Sequence, residues 1–400
     1  MRKTSEIFGK IDLITIILYL VLVFFGWINI YASMYNDDVI HTIYDLNTKH
    51  GKQLLFIGAS IFVGFIILII DWSFFDSLAF LFYAISIFLL ILVLFSSDST
   101  GGATSWFRLG SFKIQPSEFS KFTTALALAK MFSVNKQNKF SFQSMIKSYI
   151  IILIPFLLII LQNDLGTALV FTSFILVFYR EGLSGNILII GLVLFALALF
   201  SLLLKPIILS LIITSIIFSI YFLSSNRVRS VKISSIITII SNCVIFSTDY
   251  IFNNVLSPHH IERVNVLLGK EFDPLGAGYN LIQSKIAIGS GGFFGKGFLN
   301  GTQTRFDFVP EQSTDFIFCT VGEEWGFLGS LFFLVVFGSL LLRIIYLAEK
   351  QKSQFCRVYG YSVACILFLH LLINLGMTIG LAPTIGIPLP FISYGGSSLL

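Results

Sequence analysis

Four hundred residues would suit two or three soluble domains by length, but the composition excludes them: 56% of residues are apolar, 12% are charged, and the mean hydropathy is +0.90. A soluble domain carries about 25% charged residues. With 44 Phe and only nine Pro, the chain is no disordered segment, and it reads as an all-α polytopic membrane protein whose net charge of +5 is a topology signal, not a mark of nucleic-acid binding.

Met1 to Lys10 carries Arg2, Lys3 and Lys10 ahead of the first apolar run. Tyr31-Ala32-Ser33 ends that run with small residues, as a cleaved leader would, but more membrane follows instead of a secreted domain. Apolar runs at about 13–34, 54–70, 74–95, 117–133, 146–161, 165–179, 187–204, 207–223, 233–256, 316–342, 358–376 and from about 394 predict twelve spans. The last has few residues before Leu400, so it is either a stub or a chain that stops short of its natural end. With the N-terminus inside, fourteen Lys and Arg fall on the inner side and five in short outer loops. The long loop 257–314 adds Arg263, Lys270, Lys285, Lys296 and Arg305, but long loops weigh less in the positive-inside rule. Loops 35–52, 96–116 and 257–314 then face out. Residues 1–400 are expected to form a single transmembrane domain, and 257–314 is its one large extramembrane piece. Polar chemistry belongs there and at the outer helix ends.

Ionisable groups at membrane depth are costly and are functional candidates by default. Three clusters stand out. The first runs from Trp106 and Arg108 through Gln115 and Pro116 to Glu118 and Lys121. Pro116 suits a first helical turn, and Glu118 and Lys121, three apart, share a helix face. They form either a neutralised pair that lets the helix insert or one polar wall of a cavity. The second, Gln162-Asn163-Asp164-Leu165-Gly166, reads as a tight outer turn with Asp164 capping the next helix. The third runs from Pro310 and Glu311 to Asp315, then Glu323 and Glu324. Ser313 or Thr314 can cap a helix there, placing Asp315 in its first turn, where the dipole favours a carboxylate while Asp307 and Glu311 oppose it. Glu323 and Glu324 would lie roughly 12 Å deeper. Asp315 is either a cap or a catalytic or ion-coupling carboxylate.

Gly289 to Gly297 is not a phosphate-binding P-loop, because Gly297 stands where Ser or Thr must follow the Gly-Lys pair. It remains open whether this is a flexible loop that touches a lipid-linked pyrophosphate with its backbone and Lys296. Asn300-Gly301-Thr302 is a formal but weak glycosylation sequon. His259-His260 lacks further metal ligands, His370 reads as a hydrogen-bonded packing residue, and Cys243, Cys319, Cys356 and Cys365 read as packing residues.

Taken together, these residues resemble the SEDS family (shape, elongation, division and sporulation) of bacterial peptidoglycan polymerases. The likeness covers nearly the whole chain. It rests on Trp106 to Lys121, Gln162 to Leu169, Asp273 to Tyr279, Gln283 to Gly292, Gly301-Thr302-Gln303, Pro310 to Phe318, Gly376 to Pro383 and Gly386 to Ser398. Gly301-Thr302-Gln303 and Gly386 to Pro390 resemble the rod-shape (RodA-like) branch more than the division (FtsW-like) branch. The family usually has His where Ser313 stands and commonly Pro where Asn163 stands. It usually has ten spans, so the surplus pair near 205–256 reads as an inserted helical hairpin on a ten-helix SEDS-type bundle.

The resemblance implies a peptidoglycan glycosyltransferase acting on lipid II in cell elongation and cell-shape maintenance. A carboxylate must then accept the proton of the attacking hydroxyl, and Asp315 is the candidate. Cations must hold the departing pyrophosphate; the candidates are Arg108, Lys121, Lys285, Lys296 and Arg305, with Lys121 limited by Glu118. Trp106, Glu118 and Glu311 complete the substrate-binding set. A divalent cation (Mg or Mn) could act through Asp315 or Glu311, though no ligand cluster requires it. The implied partners are lipid II, the lipid-linked glycan strand, a class B penicillin-binding protein and other elongation-complex membrane proteins. The implied place is the bacterial inner membrane, with the N-terminus cytoplasmic and the site facing the periplasm. Two rivals are kept: a flippase of lipid-linked oligosaccharide coupled through Glu323 and Glu324, and a non-catalytic scaffold. No inverted repeat supports the flippase.

Overall fold

The apolar runs fold as helices whose starts are set by short polar side chains. The computed structural model describes residues 11–35, 44–95, 104–109, 112–134, 142–223, 227–270, 276 and 278–399. Helix α1 (Leu13–Ser33) starts after Asp12, whose carboxylate accepts the Thr15 N–H at 3.0 Å. Helix α2 (Lys49–Ile69) starts after Thr48, whose hydroxyl accepts the Gly51 N–H at 3.3 Å. Then follow α3 (Trp72–Leu94), strands β1 (Phe107–Leu109) and β2 (Phe112–Ile114), α4 (Pro116–Val134), α5 (Phe142–Leu161), α6 (Leu165–Val170) and α7 (Phe174–Glu181). Next come α8 (Gly185–Leu203), α9 (Pro206–Leu223), α10 (Arg227–Asn254), α11 (Pro258–Leu267), α12 (Tyr279–Ser290) and α13 (Thr302–Arg305). The described chain closes with α14 (Ile317–Glu349), α15 (Gln354–Ile379) and α16 (Gly396–Leu399).

Among the described residues nine helices are long and apolar enough to cross a membrane: α1, α2, α3, α5, α8, α9, α10, α14 and α15. Helix α4 carries Glu118, Lys121 and Lys130, and α6 and α7 are separated by a 3-10 turn at Phe171–Ser173. The expected twelve runs correspond to these nine, to α4, to the interrupted α6–α7 and to the short α16. Among the described residues the strands are those of the β1–β2 hairpin.

Two compact units emerge, residues 1–181 with 280–400, and residues 182–279. In the first, α1 packs on α14, α15 on both α14 and α4, and α3 on α4. Its core joins Leu22, Phe25 and Ile30 of α1 to Ile317, Phe318, Val321, Phe333 and Phe337 of α14, and to Leu389 and Ile392. Among the described residues, four of this unit's ion pairs gather at one end. Arg343 pairs with Asp12, Arg180 with Glu349 at 2.5 Å, Arg357 with Glu181 at 3.3 Å, and Lys130 with Asp76 at 2.8 Å. Arg343 holds the Asp12 carboxyl well below the usual carboxylate range.

Helix α14 is broken at Gly326, whose φ of 63° and ψ of −155° no helix contains. A break strands backbone groups in an apolar setting, where each unpaired one is costly. The glycine segment after α12 supplies the partners. Lys296 and Gly297 donate their N–H groups to the carbonyls of Glu323 and Glu324, both at 3.0 Å, while the Phe327 and Leu328 N–H groups reach the carbonyls of Gly292 and Phe293 at 3.0 and 3.2 Å. The segment lies so close that a Cβ on Gly291 would stand 2.0 Å from the Gly322 carbonyl oxygen. Gly289 to Gly297 is therefore a docked backbone element, not a flexible loop. Gly291→Ala should lower stability by about 1–3 kcal/mol, read as melting in detergent, because backbone lies on both sides of the clash.

The second unit contains α8 to α11. Helix α10 packs on both α8 and α9, and the Ser210 hydroxyl donates to the Asn242 side-chain oxygen between α9 and α10. The pair predicted over 205–256 corresponds to α9 and α10, and the compact unit also takes in α8 and α11. The described residues of the segment predicted as one loop over 257–314 include three helices. One of them, α11, belongs to the second unit, whereas the glycine segment and α13 belong to the first.

Candidate active site

The end of the first unit opposite its ion pairs carries the polar clusters singled out in the sequence. The hairpin pairs Phe107 with Ile114, Arg108 with Lys113 and Leu109 with Phe112, and it delivers the chain to Pro116. Alternation of apolar and basic residues around Gly110-Ser111 is the signal for it. Arg108 is exposed and Trp106 half-buried. On α4, Glu118 and Lys121 pair at 2.7 Å and are almost wholly buried. Lys121 also meets Nε2 of His370 at 2.7 Å. An ammonium can only donate, so Nε2 accepts and the ring proton sits on Nδ1, which donates to the Pro388 carbonyl at 3.2 Å.

Gln115 joins the first cluster to the second. Its side-chain amide donates to Asp164 at 2.9 Å, and its backbone N–H donates to the Ser397 hydroxyl at 3.4 Å. Asp164 caps α6, accepting the Thr167 N–H at 3.0 Å and the Thr167 hydroxyl at 2.9 Å. Burial pushes its carboxyl above the ordinary range, and the Thr167 bonds oppose that shift. Asn163, where the family commonly has Pro, adopts a φ of 64°, which a proline ring cannot reach.

The third cluster differs from expectation. Helix α14 begins at Ile317, and neither Ser313 nor Thr314 caps it. Their carbonyls are already committed: Ser313 O accepts the Tyr394 N–H at 2.8 Å and Thr314 O accepts the Ser393 hydroxyl at 2.6 Å. Their hydroxyls serve elsewhere too, since Ser313 accepts Lys49 Nζ at 2.9 Å and Thr314 donates to Glu311 at 2.9 Å. Glu311, at a φ of 57°, turns the chain into this segment. Asp315 thus lies in a half-buried turn just before α14. Its carbonyl accepts the Asn374 side-chain amide at 2.8 Å, and a Cβ on Gly386 would stand 3.2 Å from its Oδ2.

Glu323, expected as a deeper carboxylate, is wholly buried and satisfied from the segment outside it. It accepts Lys296 Nζ at 2.7 Å, the Thr302 hydroxyl at 3.2 Å, and the backbone N–H groups of Gln303 and Thr304 at 2.8 and 3.0 Å. It therefore caps α13 from a distant helix, and Lys296 is engaged with it. Lys285, on α12, lies at the C-terminal end of α15, where a Cβ on Gly380 would stand 3.0 Å from its Nζ; a helix dipole favours a cation there. Arg305 ends α13 with its guanidinium 5.9 Å from the Phe306 ring. Among the described residues no three His, Cys, Asp or Glu side chains gather to hold a metal.

The structure thus brings Glu118, Lys121 and Asp315 to one frame, built by His370, Asn374 and residues 386–388. Lys49, His370 and Asn374 were not among the residues expected to build it. The sequence signal for two of them was polar residues four apart, His370 and Asn374, on an apolar helix.

A bundle of helices long and apolar enough to cross a membrane, with buried carboxylate and ammonium groups at one end, defines a polytopic membrane protein. A family model described as "Cell cycle protein", for FtsW, RodA and SpoVE, matches residues 12–211 and 180–400, and the chain belongs to that family. It is 34% identical to the peptidoglycan glycosyltransferase MrdB of Escherichia coli K12 over 80% of this chain and 73% of that protein. It is 32% identical to the peptidoglycan glycosyltransferase RodA of Treponema pallidum over 97% of this chain and 94% of that one. A chain from a solved structure described as "Structural coordination of polymerization and crosslinking by a peptidoglycan synthase complex" aligns with a TM-score of 0.70 and 27% identity, covering 97% of this chain and 93% of that chain. The rod shape-determining protein RodA of Thermus thermophilus shares the fold with a TM-score of 0.58 and 23% identity, covering 97% and 92%.

Proposed function

We propose that this chain is a peptidoglycan glycosyltransferase that polymerises lipid II into glycan strands during cell elongation. The observation that carries the reading is the placement of Asp315 in a turn framed by residues 386–388, with the Glu118–Lys121 pair tied to the same frame. In this reaction the 4-hydroxyl of an acceptor GlcNAc attacks C1 of the MurNAc on the lipid-linked strand. The new O–C1 bond forms, the C1–O bond to pyrophosphate breaks with its electrons staying on the leaving oxygen, and the α-linkage inverts to β. A hydroxyl is a poor nucleophile, so Asp315 takes its proton. Arg108, Lys285 and Arg305 steady the departing pyrophosphate, and Lys121 and Lys296 are each held on a carboxylate.

The ion-paired end of the first unit lies toward the cytoplasm in this reading, in keeping with the Lys and Arg bias, and the Asp315 end faces the periplasm. A class B penicillin-binding protein is the expected partner, with other elongation-complex proteins. The flippase rival loses one of its two coupling carboxylates, since Glu323 already accepts four hydrogen bonds. Purified protein given lipid II in detergent should make glycan. A flippase or a scaffold makes none, because detergent removes the two sides of the membrane, and that outcome would overturn the proposal.

A further inference from the structure

His370 is ionisable and 4% exposed in an apolar helix, and the glycosyl-transfer scheme gives it nothing to do. Its two ring nitrogens are both used. Nε2 accepts Lys121 Nζ at 2.7 Å from α4, and Nδ1–H donates to the Pro388 carbonyl at 3.2 Å. One turn along the same face, the fully buried Asn374 donates one amide to the Asp315 carbonyl at 2.8 Å and to the Ile387 carbonyl at 2.7 Å. Two side chains of α15 therefore hold two consecutive carbonyls, Ile387 and Pro388. Beyond those carbonyls, His370 also reaches the Lys121 ammonium and Asn374 the Asp315 carbonyl. Gly386, the next residue back, has its backbone against the Asp315 carboxylate. Its φ of 74° is open to glycine at no steric cost.

We propose that His370 is a positioning residue: a strut that fixes the separation between Lys121 and Asp315 through the segment 386–388. The inference rests on the glycosyltransferase reading and adds a residue to it. An imidazole suits the task because it is a flat, rigid body with an acceptor at one edge and a donor at the other. The ammonium–imidazole bond is charge-assisted, so it is stronger than a neutral pair. Packing alone would need neither nitrogen. The group never touches the sugar and acts only through Lys121 and the Pro388 carbonyl.

Three substitutions separate the two arms. His370→Asn keeps an N–H near the Nδ1 position for Pro388 and drops Lys121. His370→Gln reaches Lys121 with its amide oxygen and drops Pro388. His370→Phe keeps the ring and drops both. Turnover and KM for lipid II are measured in detergent for each, well below its own melting temperature. The strut predicts a KM within about threefold of wild type, and turnover lowered about tenfold for Asn and Gln and about a hundredfold for Phe, the scale of a 1 Å misplacement. Wild-type turnover in His370→Phe overturns the strut. So does wild-type turnover in both Asn and Gln, which carry the test if Phe does not fold. A rise in KM with turnover unchanged also overturns it, because that outcome makes His370 a binding group. The parent activity is read in the same assay: if wild type makes no glycan, the glycosyltransferase reading itself falls, whereas a polymerising wild type matched by His370→Phe removes the strut alone.

Discussion

Purified Asp315→Asn protein should insert into membranes, melt like wild type and make no glycan from lipid II. The substitution preserves size, and the turn is held by its backbone: Asn374 and residues 393–394 bind the carbonyls of Asp315, Thr314 and Ser313. None of those bonds involves the side chain that changes. What is lost is the ability to accept a proton, a role worth about 10²–10⁴-fold in rate. With a substrate hydroxyl as nucleophile and no second carboxylate in the same turn except Glu311, which already accepts the Thr314 hydroxyl, residual turnover should fall below detection. Wild-type rates of strand formation by this variant would remove Asp315 from the chemistry. Glu118→Ala is a poorer test, because it leaves Lys121 buried without its paired carboxylate and confuses loss of cavity shape with loss of charge.

Contacts within one helix or one turn were legible in the sequence. Glu118 and Lys121 are three apart on α4, and that spacing alone brings them to 2.7 Å. Asp164 stands where a cap must stand, three residues before the N–H it accepts. Long-range contacts were not legible. No periodicity relates Glu323 to Gln303, or Asn374 to Asp315, because those bonds depend on how helices from distant parts of the chain are packed. The helix break at Gly326 was hidden for a related reason. The hydropathy of α14 runs on unbroken, so the sequence reads as one span, and the break is supportable only because Gly291 to Gly297 arrives to take up the stranded backbone groups. Ser313 and Thr314 failed as caps because the chain stays in a turn until Phe316 takes the N-cap position, and their hydroxyls are engaged with Lys49 and Glu311.

Glu323→Gln should release the Gln303 and Thr304 amides of α13, and more so than Lys296→Met. The carboxylate accepts two backbone N–H groups, one hydroxyl and one ammonium, all of which are donors. A glutamine keeps one acceptor oxygen and turns an amide NH₂ toward donors that it cannot bond. At least one of the Gln303 and Thr304 N–H groups is then left unpaired, at about 1–3 kcal/mol for a buried donor. Lys296, by contrast, has a side chain that is 26% exposed, while Glu323 is 0% exposed. The freed ammonium can turn to water, so losing its partner costs less than a fully buried charge would. Lys296→Met removes the counter-charge but leaves both backbone N–H bonds to Glu323 in place. The amides of Gln303 and Thr304 should therefore exchange with deuterium faster in Glu323→Gln than in Lys296→Met. The double variant should be less destabilised than the sum of the singles by about 0.5–3 kcal/mol, as contacting residues are. The effect reaches the site through Gln312, whose buried amide donates to the Thr304 carbonyl at 2.7 Å and to Asp307 at 2.6 Å, three residues before Asp315. Turnover of lipid II should fall along with the exchange protection. Unchanged exchange at 303 and 304 in Glu323→Gln would show that α13 is held by something other than this carboxylate.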